Sequence, residues 1–139
     1  MILRKVVLDT NLYIGWLNEG LHADLFVGPG LVRYLSTVVH MELRVGATML
    51  PAQRALDQLV RVYRTSGRLV LPDVEVFDRA GRTLQRLREN GREIRRASLV
   101  SDVLIALSAR SVGATVLTND EDFEAIRGVL DFGLQMIDR

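Results

Sequence analysis

The stretch "KVVLDTNLYIG", residues 5 to 15, runs from apolar residues into an acid, Asp9, followed at once by Thr10 and Asn11. Val6, Val7 and Leu8 are consecutive and mostly β-branched, the pattern of a strand covered on both faces. Residues 4 to 9, "RKVVLD", therefore read as a short buried strand, and a helix is expected from about Asn11. Asp, Thr and Asn all suit a helix start, where a side-chain oxygen accepts a bond from an orphan backbone N–H. Capping explains a single acid at a strand end. It does not explain why the arrangement recurs.

It recurs at "ATVLTND", residues 114 to 120, another apolar strand ending on a hydroxyl, an amide and an acid. Between the two, "NEGLHADLFVGPG" carries Gly20, Gly28, Pro29 and Gly30 and should end the first helix in a loop. "RYLSTVVH", residues 33 to 40, reads as a second strand running into a helix that contains "MELRVGA". Pro51 marks a new helix start, and "AQRALDQLVRVYRTSG" keeps helical spacing up to Gly67. A third strand is expected at "RLVLP", residues 68 to 72. In residues 73 to 90 a helix should bury Phe77, Ala80, Leu84 and Leu87, which follow at steps of three and four. A further helix, "ASLVSDVLIALSARSVG", closes on Gly113, a helix follows at "EDFEAIR", and "GLQMID" is expected as a last strand. Strands alternating with helices imply βαβ units: an α/β fold, three layers α/β/α, with a short and mostly parallel central sheet. No linker, repeat or low-complexity stretch interrupts residues 1 to 139, so a single domain is expected.

Bulk composition narrows the chemistry. With 139 residues and 48% hydrophobic content the chain can build one core. It has no apolar run of 18 residues, and the segment before Asp9 is too short for a signal-peptide core, so no membrane contact and a cytoplasmic location are expected. Zero cysteines exclude disulfides and thiolate metal sites, and two histidines, His22 and His40, are too few for a histidine-based zinc site. Any metal must be held by oxygen. The net charge of +1 excludes a polycation that grips nucleic acid by bulk charge, although 17 of the 18 basic residues are Arg.

In a parallel sheet, ligands bind outside the carboxyl ends of the strands, near the switch in strand order. Asp9 and Asp120 fall at that edge. Two more acids stand where they should be rejected: Glu42 between "STVVHM" and Leu43, and Asp102, the only charge between Leu99 and Ala109. A carboxylate in an apolar stretch costs several kcal/mol unless it is paired or binds a cation. Each has a structural explanation. Glu42 could lie on the solvated side of its helix, and Asp120, Glu121 and Asp122 could charge a helix N-terminus. Asp102 is harder to explain that way, because its helix is apolar nearly all round. Four such carboxylates gathered without cations repel one another. Mg²⁺ or Mn²⁺ resolves the conflict, since both take oxygen ligands and keep waters. Such a site activates water and stabilises the charge that builds on a phosphodiester, so phosphodiester hydrolysis is the chemistry that follows.

"VVLDTNLYI", "STVVHMELRVG", "SDVLIALSA" and "VLTNDEDF" resemble, in order and separation, the four acidic motifs of PIN-domain nucleases, from Val6 to at least Phe123. A compact chain of this kind is similar to the VapC-type toxins of toxin–antitoxin pairs. The resemblance implies that Asp9, Glu42, Asp102 and Asp120 are the catalytic and metal-binding acids, with Asp122 as an auxiliary metal ligand. It assigns Thr10, Asn11, Ser36 and Thr118 to the small polar positions that support the acids or position water and phosphate. It further implies an endoribonuclease dependent on Mg²⁺ or Mn²⁺, an RNA substrate, an antitoxin partner and a homodimer. The last motif offers two acids two residues apart; Asp120 follows Thr118 by two, as the motif requires, and is the better match.

Two other acidic-pocket folds fit poorly. A phosphoacceptor receiver domain needs a lysine late in the chain, and the only lysine is Lys5; a haloacid-dehalogenase-type phosphatase needs a second Asp where Asn11 stands. The alternative from another class is a non-catalytic PIN-fold module that binds RNA or protein, against which four intact acids argue. His40 reads as a packing or surface residue. Seven arginines fall between residues 79 and 96, with no lysine. Arg79, Arg82 and Arg86 form one stripe, which Asp78, Glu89 and Glu93 could simply balance as a solvated face. Guanidinium nevertheless suits phosphate, and Arg92, Arg95 and Arg96, nearest the helix of Asp102, are the candidates for RNA binding.

Overall fold

Val6, Val7 and Leu8 are fully buried, as strand residues covered on both faces must be. They belong to β1 (Arg4–Leu8), the central strand of the computed structural model, which describes residues 3–138. The elements that follow are α1 (Thr10–Glu19), α2 (Ala23–Phe26), β2 (Leu31–Ser36), α3 (Thr37–Gly46), α4 (Leu50–Thr65) and β3 (Leu69–Val70). The second half contains α5 (Val74–Glu89), α6 (Ala97–Ser111), β4 (Thr115–Thr118), α7 (Asp122–Arg127) and β5 (Gly133–Met136). Among the described residues, no helix is long and apolar enough to cross a membrane.

The sheet has five strands in the order β3-β2-β1-β4-β5, and each neighbouring pair is parallel. The chain winds outward from β1 to β2 and β3, then returns to the other side of β1 for β4 and β5. Right-handed crossovers in opposite directions put helices on both faces, which is the three-layer α/β/α fold expected. The direction reverses between β1 and β4, so that edge is the switch point where an α/β sheet binds ligands. β1 and β4 are in register there, with Leu8 opposite Leu117, and the backbone N–H of Asp9 donates to the carbonyl of Leu117 at 3.0 Å. At the far edge Gly133 is required by close approach, because a Cβ there would lie 2.9 Å from Thr115 Oγ1.

Three expectations need correction. The second strand ends at Ser36, not at His40: the Ser36 side chain accepts the backbone N–H of Val38 at 3.1 Å, and this cap starts α3 at Thr37. Local capping overrides the β preference of Thr37, Val38 and Val39. The loop after α1 contains one helical turn, α2, whose Phe26 stacks on Trp16 with ring centroids 4.4 Å apart. Finally, α5 buries Val76, Ala80, Thr83 and Leu87, while Phe77 is 56% exposed. The buried stripe is rotated by one residue from the row that included Phe77, because α5 packs along α6.

Candidate functional site

Asp9 ends β1 and caps α1, so both readings of the opening stretch hold together. Its Oδ1 accepts the backbone N–H of Thr10 at 2.7 Å, and its Oδ2 accepts the hydroxyl of Thr118 at 2.8 Å. Thr118, fully buried at the end of β4, also accepts the backbone N–H of Asp120 at 3.0 Å. One hydroxyl thus ties the acids of two neighbouring strands together. Asp120 Oδ1 in turn accepts the backbone N–H of Asp122 at 2.9 Å.

Glu42 reaches the same edge from α3. The hydroxyl of Thr10 donates to its Oε1 at 2.7 Å, so Glu42 is not on a solvated face. Ser36 is fully buried and acts at one remove, by capping the helix that carries Glu42. Asp102 enters from α6, where it is 5% exposed and flanked by buried Val103, Ile105 and Ala106. Its Oδ2 has no hydrogen-bond partner among the described residues. An unsatisfied buried carboxylate oxygen is costly. The Asp102 carboxylate belongs to a cluster, since one carboxylate oxygen from each of Asp102, Asp120 and Asp122 lies within 4.8 Å of the others.

The electrostatics follow from this crowding. Burial, and then the charges of Asp9, Asp120, Glu42 and Asp122, push the Asp102 carboxyl up to about 9. Burial also raises Asp9, to about 6, with the bonds from Thr118 and Thr10 opposing the shift and the charges of Asp120 and Glu42 adding to it. Arg96, at the start of α6, is the cation placed against the cluster: its Nη2 donates to Asp122 Oδ2 at 2.6 Å. Two hard-oxygen features therefore coincide, a set of crowded carboxylates and an orphaned buried oxygen among them. This donor set fits Mg²⁺ or Mn²⁺ and suits no soft metal.

The structure thus gathers Asp9, Glu42, Asp102, Asp120 and Asp122 with Thr10 and Thr118. Asn11 is different, for its side chain bonds to none of the acids and lines a cleft on their flank. Arg95 lies beside Glu93 at 3.6 Å, and Arg92 is exposed. In the arginine stripe, Arg82 pairs with Asp78 at 2.9 Å and Arg86 donates to the carbonyl of Val129 at 2.7 Å. His40 lies in a shallow basic cleft with Arg44, Arg61 and Arg64, and its pKa is lowered by burial and by Arg44 and Arg64. Two residues from Glu42 on one helix, it takes the opposite face. The pairing of Arg96 with Asp122 has no local sequence signal, because the partners are 26 residues apart.

The sequence matches the PIN domain family model over residues 6–129. The fold is similar to that of VapBC2 from Rickettsia felis bound to a DNA fragment from its promoter, at 18% identity and a TM-score of 0.70, covering 96% of this chain and 99% of that one. It is also similar to FitAcB from Neisseria gonorrhoeae, with 26% identity, a TM-score of 0.65 and coverage of 93% and 95%. VapBC-5 from Mycobacterium tuberculosis, described as a member of the VapBC family of toxin–antitoxin systems, gives 28%, 0.59, and 96% and 97%. No curated protein matches the sequence at a significant level. The four-motif resemblance is therefore borne out by a sequence match and a shared fold that both span nearly the whole length, and the chain belongs to the PIN-domain family.

Proposed function

We propose that this chain is an endoribonuclease dependent on Mg²⁺ or Mn²⁺, and the toxin of a toxin–antitoxin pair acting in the cytoplasm. The observation that carries the catalytic reading is the orphaned Asp102 Oδ2, buried among carboxylates that raise its pKa. Asp102, Asp120 and Asp122 would hold the ion, with Asp9 and Glu42 completing the set. When bound, the ion supplies an acidified water and neutralises charge on the phosphodiester. In the reaction, a water oxygen forms a bond to phosphorus, the bond to the leaving ribose oxygen breaks, and that oxygen takes a proton.

The contribution of the protein is preorganisation. Thr118 and Thr10 hold Asp9 and Glu42 in fixed rotamers, so the acids need no rearrangement when RNA arrives. Asn11 and Ser36 act less directly, the first on the flank of the site and the second through α3. Arg92, Arg95 and Arg96 sit at the α5–α6 turn and would contact phosphate. An incoming phosphate competes with Asp122 for Arg96. Guanidinium pairs with either, and Asp122, as a ligand of the ion, would then be free of the pair.

Similarity to VapBC and FitAB complexes supports an antitoxin partner. An apolar groove of about 370 Å³, lined by Ile14, Leu17, Leu43, Ala47 and Leu56, opens beside Glu42 and gives such a partner a way to cover the acids. The homodimer implied by the family resemblance belongs to the same proposal, and sedimentation tests it. The catalytic reading is tested by incubating a single-stranded RNA with the purified chain in Mn²⁺, in Mg²⁺ and in EDTA. Internal cleavage that needs the metal and is lost in Asp102→Asn supports it. Intact RNA in all three conditions overturns it, and leaves a non-catalytic binding module.

A further inference from the structure

Beside the acids lies a cleft of about 410 Å³ lined by Asn11, Leu12, Gly15, Leu21, His22 and Asn119. Its lining contains no carboxylate and no Arg or Lys, so it suits neither a metal ion nor the phosphate backbone. Asn11, His22 and Asn119 have side chains that make no hydrogen bond to any described residue, which leaves two amides and an imidazole open to a ligand. Leu21, 47% exposed, supplies the apolar surface between them, while Leu12 is buried beneath. Gly15 lets Leu21 pack close on the helix: a Cβ there would stand 3.4 Å from Leu21 Cδ1 and 3.6 Å from its Cβ.

The cleft is held open by the fold. Gly20 ends α1 at φ 69°, and His22 follows in the left-handed region at φ 52°, unusual for a residue with a side chain. This turn is anchored from behind, because Phe26 stacks on Trp16 at 4.4 Å and meets Tyr13 edge-on at 4.9 Å. The opposite wall is fixed by β4, since Asn119 lies between Thr118 and Asp120, both in the hydrogen-bonded chain described above. Consecutive Cα atoms are about 3.8 Å apart, so the Asn119 amide is one residue from a carboxylate of the site.

Resting on the nuclease reading, we infer that this cleft takes the unpaired nucleobase flanking the scissile phosphate and reads its hydrogen-bonding edge. An amide offers a donor and an acceptor side by side, which a base edge matches in pairs. The Leu21 side chain and an imidazole suit the faces of a base, and single-stranded RNA presents its bases splayed out. Phosphate contacts position and base contacts specify, so the cleft sets the cleavage preference while the acids set the chemistry.

The test is cleavage of a randomised single-stranded RNA in Mn²⁺, with the new ends sequenced, by wild type, Asn119→Ala, His22→Gly and Gly15→Leu. His22→Gly keeps the left-handed turn, and Gly15→Leu displaces the Leu21 wall and so reshapes the cleft. Wild type should show base enrichment at a position next to the cut. Asn119→Ala and His22→Gly should reduce that enrichment by about tenfold, the discrimination lost with one paired edge. Gly15→Leu should abolish it. In all three variants Mn²⁺ should still raise the melting temperature, since no acid is changed. A wild type that cleaves without base preference, or variants that keep the wild-type preference, overturns the inference and leaves the nuclease reading intact. A wild type that cleaves no RNA overturns both.

Discussion

The hydroxyl of Thr118 donates to Asp9 Oδ2 at 2.8 Å across 109 residues of chain, and the same oxygen accepts the N–H of Asp120. Among the described residues, it is the side chain that hydrogen-bonds both strand-end acids at the switch point. Thr118→Val keeps the shape and removes both bonds. A buried carboxylate that loses a partner costs about 1–3 kcal/mol, so the variant should melt lower than wild type. It should also bind Mn²⁺ more weakly, because Asp9 loses a bond that stabilises its charged form. Unchanged melting and an unchanged Mn²⁺ midpoint would remove Thr118 from the site.

Metal should stabilise the fold. Binding to the native state alone adds about 2.7 kcal/mol at a hundredfold excess over Kd. Near neutral pH Asp102→Asn should melt higher than wild type without metal, because the wild-type carboxyl has to take up a proton on folding and the amide does not, and it should respond less to Mn²⁺ or Mg²⁺. Melting curves with and without EDTA decide this. Wild-type curves that coincide would exclude a metal cage.

Stability of the metal-free protein should fall as pH rises. Asp102 titrates near 9 and Asp9 near 6 in the fold, against 3.8 for an ordinary carboxyl. Between the ordinary and the folded value the native state binds more protons than the unfolded one, so each unit of pH favours unfolding. The Asp9 contribution develops between about pH 4 and 6, and that of Asp102 continues to about 9. Chemical denaturation in EDTA at a series of pH values should show this decline, and Asp102→Asn should flatten it above the range of Asp9. Stability that rises through neutral pH would contradict the crowding of these acids.

Neutralising Arg92, Arg95 and Arg96 together should weaken RNA binding and flatten its salt dependence by roughly 0.7 log units per lost contact. The melting response to Mn²⁺ should persist, since the acids remain. Binding isotherms across a salt series give both quantities. Unchanged affinity and slope would place the RNA path elsewhere.

Induction of the wild-type chain should arrest bacterial growth, and Glu42→Gln should lift the arrest while leaving the fold intact. Gln keeps the volume of Glu and can still accept the Thr10 hydroxyl, but it loses the charge that binds a cation. Colony counts with circular dichroism of the purified proteins separate lost function from lost fold. Equal arrest by a folded Glu42→Gln would overturn its catalytic role.

Much of this architecture was legible because its acids stand out against apolar neighbours. Asp9 and Asp120 close buried strands, and Asp102 interrupts a helix that is otherwise buried, so each location follows from desolvation cost alone. Boundaries were less legible where two local preferences compete. Thr37, Val38 and Val39 favour a strand by side chain, yet the Ser36 cap begins a helix there. The buried face of α5 was ambiguous for a different reason. Rows through Phe77 and through Val76 both satisfy helical spacing, and only the packing partner α6 selects Val76. Contacts such as Arg96 with Asp122, or the cleft joining His22 to Asn119, are made by the turns of the chain and leave no periodic trace.

The strand order has a temporal consequence. β1 is made long before β4, one of its two neighbours in the sheet, with six helices and two strands between them, and Asp120 follows β4. Pairings so distant in sequence form late, since the entropy of closing the intervening loop comes before the contact. A nascent chain can therefore expose Asp9 and Glu42 while Asp102 and Asp120 are still to be made. The centre is assembled only once β4 and Asp120 have been made. Until the chain has been made past Asp120, neither the pair of acids at the switch point nor the Thr118 bond that ties them together can exist.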